Sequence, residues 1–269
     1  MVDRRAGHGP RRLVTHPAVA ALRVSTDRLA ALAGPLGDAA LAGRAYPTDW
    51  SVADVLSHIG SGAVIMRRQL EDGLAGGGTP PDFAASVWAE WNAKDDRTKR
   101  DEALVTDEGL VARLESLGDD EQAGLRIVMG PLTMDFALFA RLRVNEHALH
   151  TWDIEVTIDP AATLVPAETA VAIDNLELIG RYTARPGTTT RRVTIGTVEP
   201  VRAFAVELSP GGSSFGPTAA GGEAESDVRM PAEALVRLVY GRLDRAHTPP
   251  AVVDPAGVLD ELRRTFPGP

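Results

Sequence analysis

Apolar side chains recur every three or four residues over most of the first two thirds of the chain, the pattern of amphipathic helices. In the clearest segment, 51–74, Val52, Leu56 and Ile59 share one face, and Ser51 with Asp54 resembles a capping box with Asp in place of the usual Glu. Other helices are predicted over 17–36, 108–117, 132–157 and 167–184, with one more beginning near Asp82. Four long helices joined by loops of moderate length predict a four-helix bundle.

The pattern changes near Arg185-Pro186-Gly187, where shorter segments replace the helical spacing. We predict strands over 191–198, 202–208 and 224–230, a loop rich in Gly and Pro over 210–222, and helices over 231–243 and 258–266. The predicted fold class is therefore α+β, with a helical bundle over 14–184 and a small α+β domain over 185–269.

Composition narrows the classes of function. The chain has 269 residues, of which 44% are hydrophobic and 24% charged, as in an ordinary globular protein. Its formal net charge of −9 opposes binding to phosphate backbones, so we expect no nucleic-acid partner. With no cysteine, the chain has no disulfide, thiolate metal ligand or Cys nucleophile. Any thiol in its chemistry has to come from a small molecule.

The sequence also bears on localisation. No apolar stretch approaches the ~18–20 residues that span a bilayer, so we expect no membrane partner. Residues 1–12 are rich in Arg and are not followed by an apolar segment, unlike a signal peptide. We therefore expect a cytoplasmic protein.

Candidate chemistry is concentrated on the predicted helix 132–157. At 100° per residue, Arg143, Glu146, His147, His150 and Asp153 fall within about 120° of arc. Glu146 and His150 are four residues apart, so a carboxylate oxygen and an imidazole nitrogen can meet one divalent ion at about 2.0–2.2 Å. This predicted helix thus supplies two candidate metal ligands.

Two interpretations of this polar stripe stay open. Trp152 and Ala148 lie on the opposite side, so the stripe could be the solvent-facing side of an amphipathic helix. Phe136 and Phe139 continue the stripe towards the N-terminus, which favours a polar pocket inside the bundle instead. Within the stripe, we interpret His147 as a surface residue in preference to a base.

His58 lies on the predicted helix 51–74, beside its apolar face. Taken alone, it is typical of a boundary residue. Facing Glu146 and His150 from a second helix, it would complete a set of three N/O ligands with a fourth position open. That composition is typical of a catalytic zinc site.

Four short sequence motifs occur in a defined order along the chain. They are Trp50-Ser-Val-Ala-Asp-Val-Leu-Ser-His58-Ile59, Trp91-Asn92-Ala93, Arg143-x-x-Glu146-x-x-x-His150-x-x-Asp153, and the helix from Pro231 that ends in Gly241-Arg242. Together they resemble the mycothiol-dependent maleylpyruvate isomerase family over about residues 45–245. Two departures, Thr48-Asp49 in place of Pro-Gly and Val253-Asp254-Pro255 in place of Gly-Asp, bear on substrate specificity.

The resemblance implies a DinB-like metal-binding bundle and a small, sterol-carrier-like C-terminal domain. It implies a divalent metal, typically zinc, held by His58, Glu146 and His150, with mycothiol as the thiol cofactor. It also implies that Arg242 reaches the cleft from the C-terminal domain and contacts a negative charge of the substrate.

These residues suggest a thiol-dependent reaction. A metal-bound thiol is deprotonated, and its thiolate can add to an electron-poor double bond. Reversible addition gives cis–trans isomerisation and irreversible addition gives a thioether, so we expect an isomerase or an S-transferase acting on a small electrophile. Arg143 or Arg242 could hold a substrate carboxylate, and Asp153 could orient a ligand imidazole.

The alternative function is a non-enzymatic protein that binds a small molecule or lipid in its sterol-carrier-like domain. It would leave His58, Glu146 and His150 without a role. A hydrolase is disfavoured, because the sequence has no Gly-x-Ser-x-Gly and no His-Glu-x-x-His motif.

Overall fold

The computed structural model describes residues 15–46, 49–130, 132–219 and 226–268, so the predicted features of residues 1–12 lie outside it. Four long helices dominate the N-terminal part: α1 (Pro17–Ala33), α3 (Val52–Leu74), α5 (Asp96–Ser116) and α7 (Phe136–Glu155). Both α1 and α3 pack against α5 and α7, which closes a four-helix bundle. Three short helices connect them: α2 (Asp38–Leu41), α4 (Phe83–Asn92) and α6 (Asp119–Gly124).

The start of α3 shows how local sequence shapes the bundle. The Ser51 hydroxyl accepts a hydrogen bond from the Asp54 N–H, and the Asp54 carboxylate accepts one from the Ser51 N–H, both at 3.1 Å. The predicted capping box is confirmed, and it satisfies two backbone donors of the first turn. Val52, Leu56 and Ile59 are then buried on one face, as predicted.

Three helix predictions need correction. The segment 108–117 is not a short helix but the end of the long α5, whose apolar periodicity is weak because it buries Lys99 and Asp107. The helix predicted from residue 132 starts at Phe136, after a hairpin of β1 (Ile127–Met129) and β2 (Leu132–Met134). The helix predicted over 167–184 is divided into α8 (Pro166–Ala172), a 3-10 turn and α9 (Leu176–Thr183).

The C-terminal part is built on a four-stranded sheet with the order β5-β4-β3-β6. Its strands are β3 (Arg191–Val198), β4 (Arg202–Leu208), β5 (Ser214–Pro217) and β6 (Val228–Pro231). β4 pairs antiparallel with both β3 and β5, whereas β6 runs parallel to β3. The loop predicted over 210–222 is wrong at 214–217, which form β5. Of the strand predicted over 224–230, residues 224–225 lie outside the described part.

Two helices complete this unit, α10 (Ala232–Val239) and α11 (Leu259–Thr265). The predicted α+β class, with an N-terminal helical bundle and a small sheet unit, is confirmed. No helix in the described part of the chain combines the length and apolar character needed to cross a bilayer.

Helix α7 contributes to the packing of both parts. Its residues Leu149, Trp152 and Val156 belong to one apolar cluster with Ile195 of β3 and Leu235 of α10. The opposite side of α7 packs against α1 and α3 of the bundle. This arrangement brings the chain that follows α10 alongside the polar residues of α7.

Candidate functional site

Three side chains from two bundle helices converge on one point. His58 comes from α3, and Glu146 and His150 come from α7, with one ligand atom of each within 4.8 Å of the others. Glu146 Oε2 lies 3.2 Å from His58 Nε2 and 3.6 Å from His150 Nε2. Two imidazole nitrogens and one carboxylate oxygen form a donor set that suits zinc and leaves a fourth position open.

The three side chains open onto a cavity of about 550 Å³ at the junction of the bundle and the sheet unit. Both parts of the chain contribute to its walls. The other lining residues are Tyr46, Asp49, Trp50, Leu149, Tyr240, Gly241, Arg242, Pro267 and Gly268. A volume of this size is within the usual range of small-molecule sites.

Asp153 fixes the orientation of His150. The His150 Nδ1–H donates to Asp153 Oδ2 at 2.8 Å, so the other ring nitrogen, Nε2, is the one that faces Glu146. Burial alone would lower the pKa of His150, but the hydrogen bonds to Asp153 and Glu146 raise it by more. A carboxylate behind an imidazole ligand is the usual way to set its tautomer and ring orientation.

Both carboxylates of the site are held in the ionised form. Desolvation raises the pKa of Glu146, but the hydrogen bonds to His150 and His58 outweigh it and lower the pKa overall. Burial likewise raises the pKa of Asp153, and the His150 hydrogen bond and the charge of Arg242 lower it by more. At neutral pH Glu146 therefore presents a negatively charged oxygen between two imidazoles.

Arg242 reaches the pocket wall from the sheet unit. Its Nε and Nη2 donate to the two oxygens of Asp153 at 2.8 and 2.7 Å, and Nη1 donates to the Tyr240 carbonyl at 2.9 Å. It thus contacts the C-terminal end of α10 and the polar face of α7 at once. Only 8% of the residue is exposed, so it does not face bulk solvent.

The backbone conformation at position 241 explains why a glycine precedes Arg242. The φ of +71° at Gly241 lies in the left-handed region, and a Cβ there would be 2.4 Å from the Pro267 carbonyl oxygen. Any other residue would be strained and would push the C-terminal segment off the pocket wall.

Arg143 and His147 do not reach this pocket. The Arg143 Nη2 donates to Asp107 at 2.7 Å and to the Ile59 carbonyl at 3.0 Å, inside the bundle. His147 is fully buried, with Nε2 donating to Asp107 and Nδ1 2.7 Å from Ser25 Oγ. The expectation that Arg143 holds substrate is therefore replaced by a role inside the bundle, because Asp107 engages its guanidinium.

The interpretation of His147 as a surface residue is wrong, and so is the solvent-facing interpretation of the whole stripe. Four of its five residues are less than a tenth exposed. The residue types of a hydrolase triad are present in Ser25, His147 and Asp107. All three residues are fully buried, so a substrate cannot approach them. They form a structural network in the bundle core.

Aromatic side chains differ in how they relate to the candidate site. The Trp50 ring lies 5.2 Å from the His58 ring and 5.9 Å from the His150 ring, centroid to centroid. Trp91 is buried in the bundle, whereas Trp88 is 49% exposed. Tyr46 and Tyr240 line the pocket although no spacing in the sequence singled them out.

Comparison with known proteins bears on the family resemblance. The family model described as the mycothiol maleylpyruvate isomerase N-terminal domain matches residues 22–155. The match covers the helical part of the chain. The resemblance noted from the sequence motifs is thereby confirmed.

Solved structures extend the likeness to the family's overall fold. A crystal structure of the mycothiol-dependent maleylpyruvate isomerase matches with a TM-score of 0.60, 14% identity, and coverage of 90% of this chain and 97% of that chain. A crystal structure of a histidine-to-alanine mutant of that isomerase matches with a TM-score of 0.61 at the same identity and coverage. At this identity the match shows the fold alone. No curated protein matches the chain.

The family match includes one side of the site. His58, Glu146, His150 and Asp153 all lie within residues 22–155, whereas Arg242 lies beyond them. The site therefore combines a family-defined bundle with a residue that the sheet unit supplies.

Proposed function

We propose that this protein is a mycothiol-dependent metalloenzyme that directs an external thiol onto a small electron-poor substrate. The observation that supports it most is the three-ligand cluster of His58, Glu146 and His150 opening onto a substrate-sized pocket. The family match over residues 22–155 and the complete lack of cysteine point the same way, since the thiol has to be supplied from outside.

His58, Glu146 and His150 would hold the divalent metal, which we expect to be zinc. When bound, the metal lowers the pKa of a thiol so that the thiolate is available at neutral pH. Asp153 keeps His150 in the tautomer whose Nε2 carries the lone pair, and Arg242 balances the charge of Asp153.

The reaction follows from the chemistry of a thiolate and a conjugated double bond. The sulfur electron pair forms a bond to the β-carbon, and the π pair moves towards the conjugated carbonyl to give an enolate. The former carbon–carbon double bond is now a single bond. Rotation about it, followed by expulsion of the thiolate, isomerises the substrate. Protonation of the α-carbon instead leaves a thioether, which is S-transfer. Arg242 lines the pocket, and the N–H groups that it does not donate to Asp153 or Tyr240 would favour a substrate carboxylate or the enolate.

Turnover of a small α,β-unsaturated acid, with and without mycothiol and with native or chelator-stripped protein, tests this proposal. We expect turnover only when both metal and thiol are present. An isomerase consumes no net thiol, whereas a transferase consumes one thiol per product. Equal turnover without thiol, with the metal in place, would overturn the thiol mechanism. A protein that also retained no metal would favour the non-enzymatic alternative.

A further inference from the structure

A second cavity adjoins the metal-ligand pocket. It has a volume of about 340 Å³ and shares Glu146 and Tyr240 with the first cavity. It lies between α3, the β1–β2 hairpin, α7 and α9. Most of its wall is apolar, formed by Met66, Met129, Met134, Phe139, Leu142 and Ile179.

The charge of this second cavity differs from that of the first. No Lys, Arg or His is among its described lining residues, and Glu146 is the one charged side chain there. A carboxylate that entered it would meet no counter-charge and would lose its hydration, which is costly. An alkyl or aryl group would instead gain from leaving water.

The junction with the first cavity is fixed in place. The Tyr240 hydroxyl accepts a hydrogen bond from Asn145 Nδ2 at 2.8 Å, and Asn145 Oδ1 accepts one from Asn175 at 2.9 Å. The Tyr240 ring, only 5% exposed, therefore forms a rigid wall between the two cavities, next to Glu146. A molecule that reacts beside Glu146 therefore lies next to both cavities, because Glu146 lines both.

We propose that the second cavity binds an apolar substituent of the electrophilic substrate. The substrate class is then an α,β-unsaturated carbonyl compound with an alkyl or aryl group, and not a small dicarboxylate. The inference rests on the proposed function. The thiol itself fits the first cavity better, because mycothiol is a hydroxyl-rich sugar conjugate and that cavity carries the polar groups of Tyr46, Asp49 and Arg242.

Neighbouring residues of β1 offer a matched pair of variants. Met129 lines the cavity and is 48% exposed at its rim, whereas Val128 is 71% exposed and does not line it. Met129→Glu places a charge at the rim, and Val128→Glu places the same charge on the other side of the strand. Ile179→Trp, on α9, fills the cavity by volume and serves as an independent variant.

The kinetic experiment uses zinc-loaded protein, mycothiol and straight-chain 2-alkenals from four to eight carbons. We expect kcat/KM to rise about fourfold per added methylene, which corresponds to about 0.8 kcal/mol. Met129→Glu and Ile179→Trp should flatten this dependence on chain length. Val128→Glu should behave as the unsubstituted protein does.

A binding experiment needs no turnover. Three of the five methionines of the chain line the cavity, and Met230 is buried in the core of the sheet unit. In protein labelled with ¹³C at the methionine methyl groups, unreactive 2-alkanones should shift the signals of Met66, Met129 and Met134 but not that of Met230. The apparent Kd should fall with chain length, and Met129→Glu should weaken it where Val128→Glu does not.

The two experiments separate the failure of this inference from the failure of the proposed function. A kcat/KM that does not change with chain length, together with unshifted signals of the three methionines, would overturn the apolar subsite. It would not contradict the thiol chemistry. Length-dependent shifts without any turnover would support the subsite and count against the proposed function.

Discussion

Asp153 and Arg242 form a buried two-point ion pair, with nitrogen–oxygen distances of 2.7 and 2.8 Å. The pair connects the chain after α10 to the polar face of α7, and the same carboxylate orients His150. The position of one candidate metal ligand therefore depends on how the sheet unit packs against the bundle.

The first prediction concerns this pair. Asp153→Asn keeps the side-chain size but removes the charge, which leaves Arg242 buried without its partner and frees the His150 ring. We expect metal affinity to fall about 10–100-fold and the free energy of unfolding to fall by about 3–5 kcal/mol. Chelator competition and thermal unfolding measure the two effects. Asp49→Asn, which removes an exposed charge from the same pocket, should change neither by a comparable amount.

The second prediction concerns metal content. Protein reconstituted with zinc and desalted should retain about one equivalent of metal, because three N/O ligands meet at one point. His58→Ala should lose most of it in elemental analysis. His16→Asn is the matched control, since it changes a histidine at the start of α1 and retains a side chain that can cap this helix. Full metal content in His58→Ala would show that the ligand set is wrong.

The third prediction uses Trp50 as a reporter. Its ring lies beside the rings of both His58 and His150, so a paramagnetic ion such as Ni²⁺ bound there should quench its fluorescence. Trp50→Phe should remove the quenching that saturates with added Ni²⁺, whereas Trp88→Phe should preserve it. Saturable quenching that persists in Trp50→Phe would place the ion elsewhere.

The fourth prediction concerns the buried network around Asp107. Asp107→Asn removes the charge that faces both Arg143 and His147, so the free energy of unfolding at pH 7 should fall by about 3–5 kcal/mol. Denaturant unfolding measures this change. The exposed Asp101→Asn on the same helix should have little effect, and metal content should stay near one equivalent in both variants.

The fifth prediction is the pH dependence of that network. Burial raises the pKa of Asp107, but the charges of His147 and Arg143 outweigh it and lower the pKa below the ordinary value of 3.8. The folded state therefore binds this proton less readily than the unfolded state, so the stabilisation is complete above about pH 5 and is lost as the pH falls. Between pH 5 and pH 3 the unsubstituted protein should lose more stability than Asp107→Asn. Parallel losses in the two proteins would contradict this assignment.

Local signals in the sequence were sufficient to predict the helices that carry the candidate metal ligands. The capping box at Ser51 and the apolar face of α3 placed His58 on the correct helix. The four-residue spacing of Glu146 and His150 placed two more candidate ligands on one side of α7. Both features depend only on helical geometry over a few residues, which sequence periodicity reports well.

Long-range pairing of polar residues was not predictable in this way. Asp107 and Arg143 are 36 residues apart, and neither one indicates in the sequence that the other neutralises it. Because α5 buries such polar groups, its periodicity was weak and most of its length was missed. The short strands β1, β2 and β5 were missed as well, since three or four residues carry too little alternation to be recognised.

The polar stripe of α7 is divided between a buried network and a group that faces the pocket, and their residues alternate along the helix. Arg143 and His147 contact the bundle core, whereas Glu146, His150 and Asp153 face the candidate metal pocket. Neighbouring codons of one gene segment should therefore give two kinds of loss-of-function allele. Alleles at the first pair should be temperature-sensitive and recover in cool cultures, because they act through folding. Alleles at Glu146 and His150 should stay defective at every growth temperature.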